Sequence, residues 1–257
     1  MSTSSPSLLY TSACSKIQDF PKRLSNQPLE KKELDLRETW GLSIQAAITG
    51  TSTDQERHRL VTEIVSARNL GSLGPNGMTA DGQIMSGLPF LFECVNFVYS
   101  GEAMTLRQHE RIHLAAFTAM LVAAGVRADE LGFFALSVLR ETLETTIDRN
   151  RESDRSMSKL LPVAVAWFDF AGHELAVFSG GDGHKPRSGV EISLATVGPL
   201  AHKKGVLERG FSTERWQFWR QRLQQLSGID TKTIKEPVLR CMASMDKWSK
   251  DAGVVVE

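Results

Sequence analysis

The sequence predicts an all-α protein, a single-domain bundle of many helices joined by long glycine-rich loops. Apolar residues recur at helical spacing in several long segments, capping motifs precede some of them, and glycine clusters separate them. The chain has 257 residues, and 41% of them are hydrophobic, which suffices for a substantial core. We expect one domain over residues 29–250, a disordered lead-in at 1–28 and a tail at 251–257.

Two helices are predicted in the first part of this domain. Residues 30–48 carry charge in their first turns and apolar side chains toward their end, the pattern of a helix that becomes buried. Thr53 and Glu56 form a capping box, and helical apolar spacing then extends to Asn69.

A loop and two further helices are expected next. Glycines and a proline in residues 71–87 indicate a long surface loop. Residues 88–99 are a short apolar run that periodicity alone cannot assign, and we predict a helix there. Thr105 and Gln108 are expected to cap another helix, which Gly125 ends.

The second half of the chain contains the predicted centre of the bundle. Residues 131–147 and 160–178 have apolar faces too broad for surface helices, so we expect both helices to be central. Residues 179–189 are predicted to be a flexible linker because of their glycines, serines and proline. Ser212 is expected to cap the next helix, and a last helix is predicted over 231–250.

Composition argues against several classes of protein. The 30 Lys plus Arg residues balance 30 Asp plus Glu residues, so the chain lacks the field that attracts nucleic acid or anionic lipid. Cys14, Cys94 and Cys241 have no disulfide or zinc-site spacing. The N-terminus lacks the layout of a secretory signal, and the apolar run 112–126 is shorter than the roughly 20 residues that span a bilayer. We expect a cytoplasmic protein with no nucleic-acid or membrane partner.

One motif suggests zinc. His109, Glu110 and His113 match the HExxH pattern, in which two imidazoles one helical turn apart bind the metal and the glutamate acts as a general base. However, no companion motif supplies a third ligand, and Arg111 suits a solvent-facing helix. A polar helix face is the more common interpretation, so we assign no metal site.

Two groups of charged residues are candidates for catalysis. Asp169 and His173 lie four residues apart on an apolar helix and could form a carboxylate–imidazole pair, although a narrow packed stripe fits the same pattern. Glu93 is a lone acid in an apolar run, and a buried carboxylate either finds a cation or becomes available for catalysis. Arg140 and Glu144 could pair with each other or supply that cation, and a structural ion network is the commoner outcome.

Aromatic residues are the candidates for substrate binding. Trp167, Trp216 and Trp219 lie on central or following helices and could form the walls of an apolar pocket, together with Phe134. Large rings on central helices are more often plain core. Both alternatives remain open at the level of sequence.

Several stretches resemble a fungal family labelled domain of unknown function 3632. They include TDQERHRLV, AAFTAMLVAAG, FFALSVLRETLE, LLPVAVAWFDFAG and, most specifically, GFSTERWQFWRQRL at residues 210–223. The likeness runs from about residue 38 to 226, although Ala201 and Arg111 stand where an aromatic residue is expected. The resemblance implies a fungal, intracellular, all-helical protein of a kind that sometimes accompanies secondary-metabolite genes, and it implies no particular activity.

Three functional hypotheses follow. The leading one is a cofactor-free enzyme of fungal secondary metabolism, a cyclase, isomerase or lyase that acts on a small apolar metabolite between the central helices. In this hypothesis the aromatic residues line the pocket, Asp169, His173 or Glu93 moves protons, and Arg140 with Glu144 sets the electrostatics. The alternatives are a non-catalytic helical interaction module and a zinc hydrolase. The sequence leaves the oligomeric state open.

Overall fold

A computed structural model of the chain confirms the all-α prediction. It describes residues 6–24, 27–49, 52–69, 78–79, 82–83, 87–101, 105–146, 157–181, 184–229 and 231–252. The chain divides into two compact units, residues 1–127 and 128–257. The single domain over 29–250 stays a prediction.

The first unit is helical apart from one short hairpin among its described residues. Its elements are α1 (Pro6–Gln18), α2 (Phe20–Leu24), α3 (Leu29–Ile48), α4 (Asp54–Asn69), β1 (Met78–Thr79), β2 (Gly82–Gln83), α5 (Leu91–Tyr99) and α6 (Gln108–Ala123). The two strands pair antiparallel, with Met78 opposite Gln83. Apart from these strands and Gly87, the loop predicted over residues 71–87 lies outside the described residues. The predicted helices at 30–48, 53–69 and 88–99 correspond to α3, α4 and α5.

Helices α1 and α2 occupy a segment that the sequence predicted to be disordered, and that prediction is corrected for residues 6–24. α1 packs against α3 and α4. The buried apolar side chains, each at most 1% exposed, are Ala13, Ile17, Phe20 and Leu24. The polar residues that suggested disorder lie on the exposed face of α1: Thr11, Ser12 and Ser15. The apolar residues of this segment thus form a narrow stripe, and the surrounding serines and threonines made it hard to recognise from composition.

One predicted helix cap is confirmed, and another is displaced. The backbone N–H of Thr53 donates to Glu56 Oε2 at 2.8 Å, as the capping box requires. The helix predicted to start at Thr105 begins at Gln108 instead, where the backbone N–H of Arg107 donates to Glu110 Oε2 at 2.7 Å. The ionised carboxylate is a stronger acceptor than the amide of Gln108, which accounts for the shift.

The second unit contains the two central helices that the sequence predicted. Its elements are α7 (Ala128–Leu131), α8 (Phe133–Leu143), α9 (Met157–Gly180), α10 (Gly189–Leu194), α11 (Pro199–Lys203), α12 (Thr213–Ser227) and α13 (Lys232–Asp251). α9 packs against α13, α8 and α12. Ser212 caps α12 as predicted, because its hydroxyl accepts from the backbone N–H of Arg215 at 3.2 Å.

A local break in α9 brings it very close to α13. Ala171 has non-helical torsions (φ −129°, ψ 20°), so α9 is kinked there. At the next position, a β-carbon on Gly172 would lie 2.5 Å from Ser244 Oγ and 2.8 Å from Trp248 Cδ1. Only glycine permits this helix contact.

Helix α9 is long and apolar enough to cross a membrane by length and composition alone, although 67% of its most apolar window is buried inside the protein. Core helices of soluble proteins pass the same test, so this is weak evidence for a span. The absence of a membrane span stays a prediction.

Candidate functional site

The carboxylate of Glu144 is the centre of a buried hydrogen-bond network. Glu144 directly follows α8 and, like Arg215 of α12, is 0% exposed. Its Oε1 accepts from Arg215 Nε at 2.6 Å and from Trp219 Nε1 at 2.7 Å. Its Oε2 accepts from Arg215 Nη2 at 3.1 Å and from the backbone N–H of Gly198 at 2.6 Å. Both carboxylate oxygens therefore have two protein donors each.

Arg215 connects this network to the backbone of residues 195–210. It donates three more hydrogen bonds of 2.9–3.1 Å, to the carbonyl oxygens of Ala195, Thr196 and Gly210. With its bonds to Glu144, every N–H of the guanidinium has an acceptor. A pair so fully engaged positions backbone and leaves no free acid or base, so we interpret it as structural.

Arg140 is not the partner of Glu144. Its guanidinium donates to the carbonyl oxygens of Ser193 at 2.9 Å and Thr196 at 3.4 Å. An i,i+4 pair of the two residues was one of the alternatives that the sequence left open. It is not formed, and Glu144 is the C-cap residue of α8, where the chain leaves the helix. Arg140 thus helps to hold the same backbone segment as Arg215.

Glu93 is exposed, and the expectation of a buried carboxylate is wrong. It lies in α5, in the first unit, whose buried face carries Leu91, Phe92 and Val95. The helical turn points Glu93 away from that face, although it stands within an apolar run.

Asp169 and His173 are engaged by different groups. Asp169 Oδ2 accepts from Arg240 of α13. His173 lies beyond the kink, half-exposed, with Nδ1 at 3.3 Å from Glu174 Oε1 and its ring edge-on to Trp248 at 5.2 Å between centroids. The predicted carboxylate–imidazole pair is therefore not formed among the described contacts.

The predicted substrate-binding rings belong to the core. Trp167, Trp216, Trp219 and Phe134 are all 0% exposed. Trp216 donates to Ser249 Oγ at 3.0 Å, and Trp219 donates to the buried carboxylate described above. None of the four lines either of the pockets described below.

The histidines and the glutamate of the HERIH motif contact protein groups that are both near and distant in sequence. His109 and His113 lie edge to face, with ring centroids 5.9 Å apart, and Glu110 is bound to Arg107. His113 Nδ1 lies 3.3 Å from the carbonyl oxygen of Ile48, and burial lowers the pKa of His113. Within the described residues, no cluster of three His, Cys, Asp or Glu side chains could hold a metal ion.

Two pockets in the second unit share one wall. Pocket A, of about 340 Å³, is lined by acidic, basic and aromatic side chains that include Asp129, Glu130, Phe133, Phe178, Arg187 and Glu191. Pocket B, of about 490 Å³, is lined by the start of α12 and the segment before it, including Leu207, Phe211, Ser212 and Thr213. Gly181, His184 and Lys185 line both pockets. These volumes lie in the range of small-molecule sites.

The imidazole of His184 lies within a cluster of aromatic rings. It stacks on Phe178 at 4.0 Å and 14° and on Phe133 at 4.8 Å and 29°, and Phe211 meets it edge-on at 5.2 Å. A β-carbon on Gly132 would lie 3.4 Å from His184 Nε2 and 2.9 Å from Phe178 Cε2, so a glycine makes room for the stack. His184 Nε2 is buried and has no hydrogen-bond partner among the described residues.

Electrostatics favour the neutral form of this imidazole. Burial lowers the pKa of His184 below its ordinary value, and the nearby carboxylates of Asp129 and Glu191 oppose this shift. A neutral imidazole beside a cavity can accept a proton from a bound molecule. Glu191 is committed to capping α10, where its Oε2 accepts from the backbone N–H of Ser188 at 3.1 Å.

We expect the stability of the protein to fall as the pH drops below about 6.5. In the folded state His184 and His113 have lowered pKa values, so below the ordinary value of 6.5 the unfolded chain binds more protons than the folded chain. His184 contributes a slope of up to about 1.4 kcal/mol per pH unit, and the more exposed His113 contributes less because water screens its charge. Urea unfolding between pH 8 and pH 5 measures this slope, which should be shallower in His184→Gln than in the surface variant His202→Gln. Equal slopes in the two variants would contradict it.

His184 was not identified from the sequence, because the glycines, serines and proline of residues 179–189 predicted a flexible linker. The segment does leave regular structure after α9, but His184 packs inward on the rings of neighbouring elements. The available signal was a single histidine in a glycine- and proline-rich connection, since functional side chains often lie on loops held by a rigid scaffold.

The comparisons with known proteins agree with the resemblance. A family model described as "Protein of unknown function (DUF3632)" matches residues 40–223. The chain is also similar to the oxopyrrolidines biosynthesis cluster protein G of Penicillium oxalicum, with 27% identity over 238 residues, which cover 81% of this chain and 65% of that protein. No solved structure matches the chain. Because the family model spans most of the sequence, this chain belongs to the DUF3632 family.

Proposed function

We propose that this chain is an enzyme of fungal secondary metabolism that acts on a small organic molecule bound in pockets A and B. The reaction is of the isomerase, cyclase or lyase type, in which side chains move protons without a cofactor. His184 is the general base, and the protein works in the cytoplasm. The single observation that carries this proposal is the position of His184, whose half-buried imidazole lines both pockets and is held there by stacking on Phe178 and Phe133.

The relative from Penicillium supports the metabolic context. Its name places it in the biosynthesis cluster of oxopyrrolidines, which are small molecules. That protein is longer than this chain, which spans 65% of its length. We therefore take from it the type of pathway and derive the site from this chain alone.

The residues singled out in the sequence receive a different role in this proposal. Glu144, Arg140 and Arg215 hold residues 195–210, and within that segment residues 205–208 line pocket B. They are positioning residues, which shape the pocket without touching the bound molecule. The tryptophans stabilise the core behind them.

The proposal is tested by His184→Gln in the fungus that carries the gene. A strain without the gene is complemented with wild-type protein, His184→Gln or His173→Gln, and the small molecules are compared by mass spectrometry. We expect His184→Gln to reduce the product at least about 100-fold, the contribution of a positioned general base. His173→Gln, a half-exposed histidine of the same unit outside both pockets, should leave the product unchanged.

Circular dichroism and thermal melting of both purified variants ensure that a loss of product is not a loss of fold. A folded His184→Gln protein that supports normal product formation would contradict the assignment. If product formation depends on the gene but not on His184, the non-catalytic interaction module becomes the better hypothesis.

A further inference from the structure

The side chain next to His184 has an unusual position. Lys185 lines pocket A and pocket B, a property that it shares with only Gly181 and His184 among the described lining residues. No hydrogen bond or ion pair engages its ammonium group among the described residues. A cation therefore stands next to the imidazole of His184, at the point where the two cavities meet.

The other charges around this point are placed differently. Asp129, Glu130 and Arg187 line pocket A but not pocket B, and Glu208 and Glu214 line pocket B but not pocket A. Glu191 is occupied in capping α10. Lys185 is thus the one cation, within the described residues, that faces both cavities together with the proposed base.

From this juxtaposition we propose that Lys185 stabilises an oxyanion and that the substrate is a carbonyl compound with an ionisable C–H next to its carbonyl group. The inference rests on the proposed function and specifies its substrate class. A base alone cannot remove such a proton efficiently, because negative charge develops on the carbonyl oxygen in the transition state. A preorganised cation beside that oxygen lowers the barrier.

The proposed step balances without a further reagent. The imidazole of His184 takes the proton, the electrons of the C–H bond form the C=C bond of an enolate, and the carbonyl π electrons move to the oxygen beside Lys185. The imidazolium then returns the proton to another carbon of the conjugated system, which gives an isomer. Alternatively, the enolate carbon attacks a second carbonyl group, and the proton goes to the new alkoxide, which closes a ring.

Two ring compounds of equal size test the substrate class directly. 1,3-Cyclohexanedione is an enolate anion at neutral pH, whereas cyclohexanone is a neutral ketone. Calorimetric titration of the full chain with each compound gives the ratio of their affinities. We expect the enolate to bind about 10-fold more tightly, the effect of one charge-assisted contact. Lys185→Met should remove this preference, and Lys185→Arg, which keeps the charge, should retain most of it.

Lys203→Met is the matched control, because Lys203 is an exposed lysine of α11 outside both pockets. It should bind both rings as the wild type does. Equal binding of the two rings by the wild type, binding of neither, or an unchanged preference in Lys185→Met would overturn the inference.

The experiment with His184→Gln in the fungus tests the proposed function separately. If that variant loses product while Lys185→Met keeps the enolate preference, the enzyme assignment stands and the substrate class is wrong. If His184→Gln forms product normally, the proposed function itself is wrong, whichever ring the protein prefers.

Discussion

Glu144→Gln should destabilise the protein by about 3–5 kcal/mol, the cost of leaving one member of a buried ion pair without its partner. The substitution keeps the shape of the side chain, so it tests charge and hydrogen bonding rather than packing. Each oxygen of the carboxylate accepts from two donors: Arg215 Nε and Trp219 Nε1 on one side, Arg215 Nη2 and the Gly198 N–H on the other. Whichever way the amide turns, its NH2 group faces two donors.

The measurement is the free energy of unfolding from urea titrations followed by circular dichroism. Asp246→Asn is the control, because it breaks the pair of Asp246 with Arg220, which lies at the surface of the same unit. Exposed pairs contribute at most about 1 kcal/mol. The interpretation of the buried network as structural would be wrong if the two variants lost similar stability.

A double-mutant cycle with Arg215→Met separates the pair from its surroundings. Removing either partner alone leaves the other buried and uncompensated, whereas the double variant leaves neither charge. We therefore expect the loss in the double variant to be smaller than the sum of the single losses. Additive losses would mean that the two side chains stabilise the fold independently.

Gly172→Ala should destabilise the protein by about 1–3 kcal/mol, the usual cost of overpacking a close contact. The new methyl group would lie 2.5 Å from Ser244 Oγ and 2.8 Å from Trp248 Cδ1. The serine hydroxyl can rotate only by giving up its 2.7 Å bond to the carbonyl oxygen of Phe168. The indole ring is rigid, so α9 and α13 must separate.

Gly41→Ala is the matched control for this prediction. Gly41 lies inside α3, and a β-carbon there would meet nothing within 4 Å. Alanine in a helix interior is favoured over glycine by about 1 kcal/mol, so this variant should be slightly more stable than the wild type. Thermal melts of both variants give the comparison, and a stabilising effect of Gly172→Ala would show that α9 and α13 separate at no cost.

These two glycines differ in a property that the sequence does not predict, the space around their α-carbons. Both stand in helices predicted from apolar spacing, and nothing in their neighbouring residues distinguishes them. The difference comes from packing, because Ser244 and Trp248 of α13 approach Gly172, whereas a β-carbon on Gly41 would meet nothing within 4 Å. A contact between residues about 70 positions apart leaves no local pattern.

Sequence patterns predicted the helices well because helix formation and capping depend on residues that are close together in the chain. The capping pair Thr53 and Glu56 and the hydroxyl of Ser212 act within one helical turn, and the structure has both caps. The stretch 210–223 identified the family for the same reason, since its residues are contiguous. The N-terminal helices were missed because their apolar face is narrow and the composition around it is polar.

The candidate site depended on partners that are distant in sequence. By itself the sequence determined the all-α class, most helix boundaries and membership of the family. Only the tertiary structure decided that Glu144 is bound by Arg215, 71 residues away, and that His184 stacks on rings from α8 and α9. The physical reason is that helix formation follows from neighbouring residues, whereas the stacking and the lowered pKa of His184 follow from which elements pack around it.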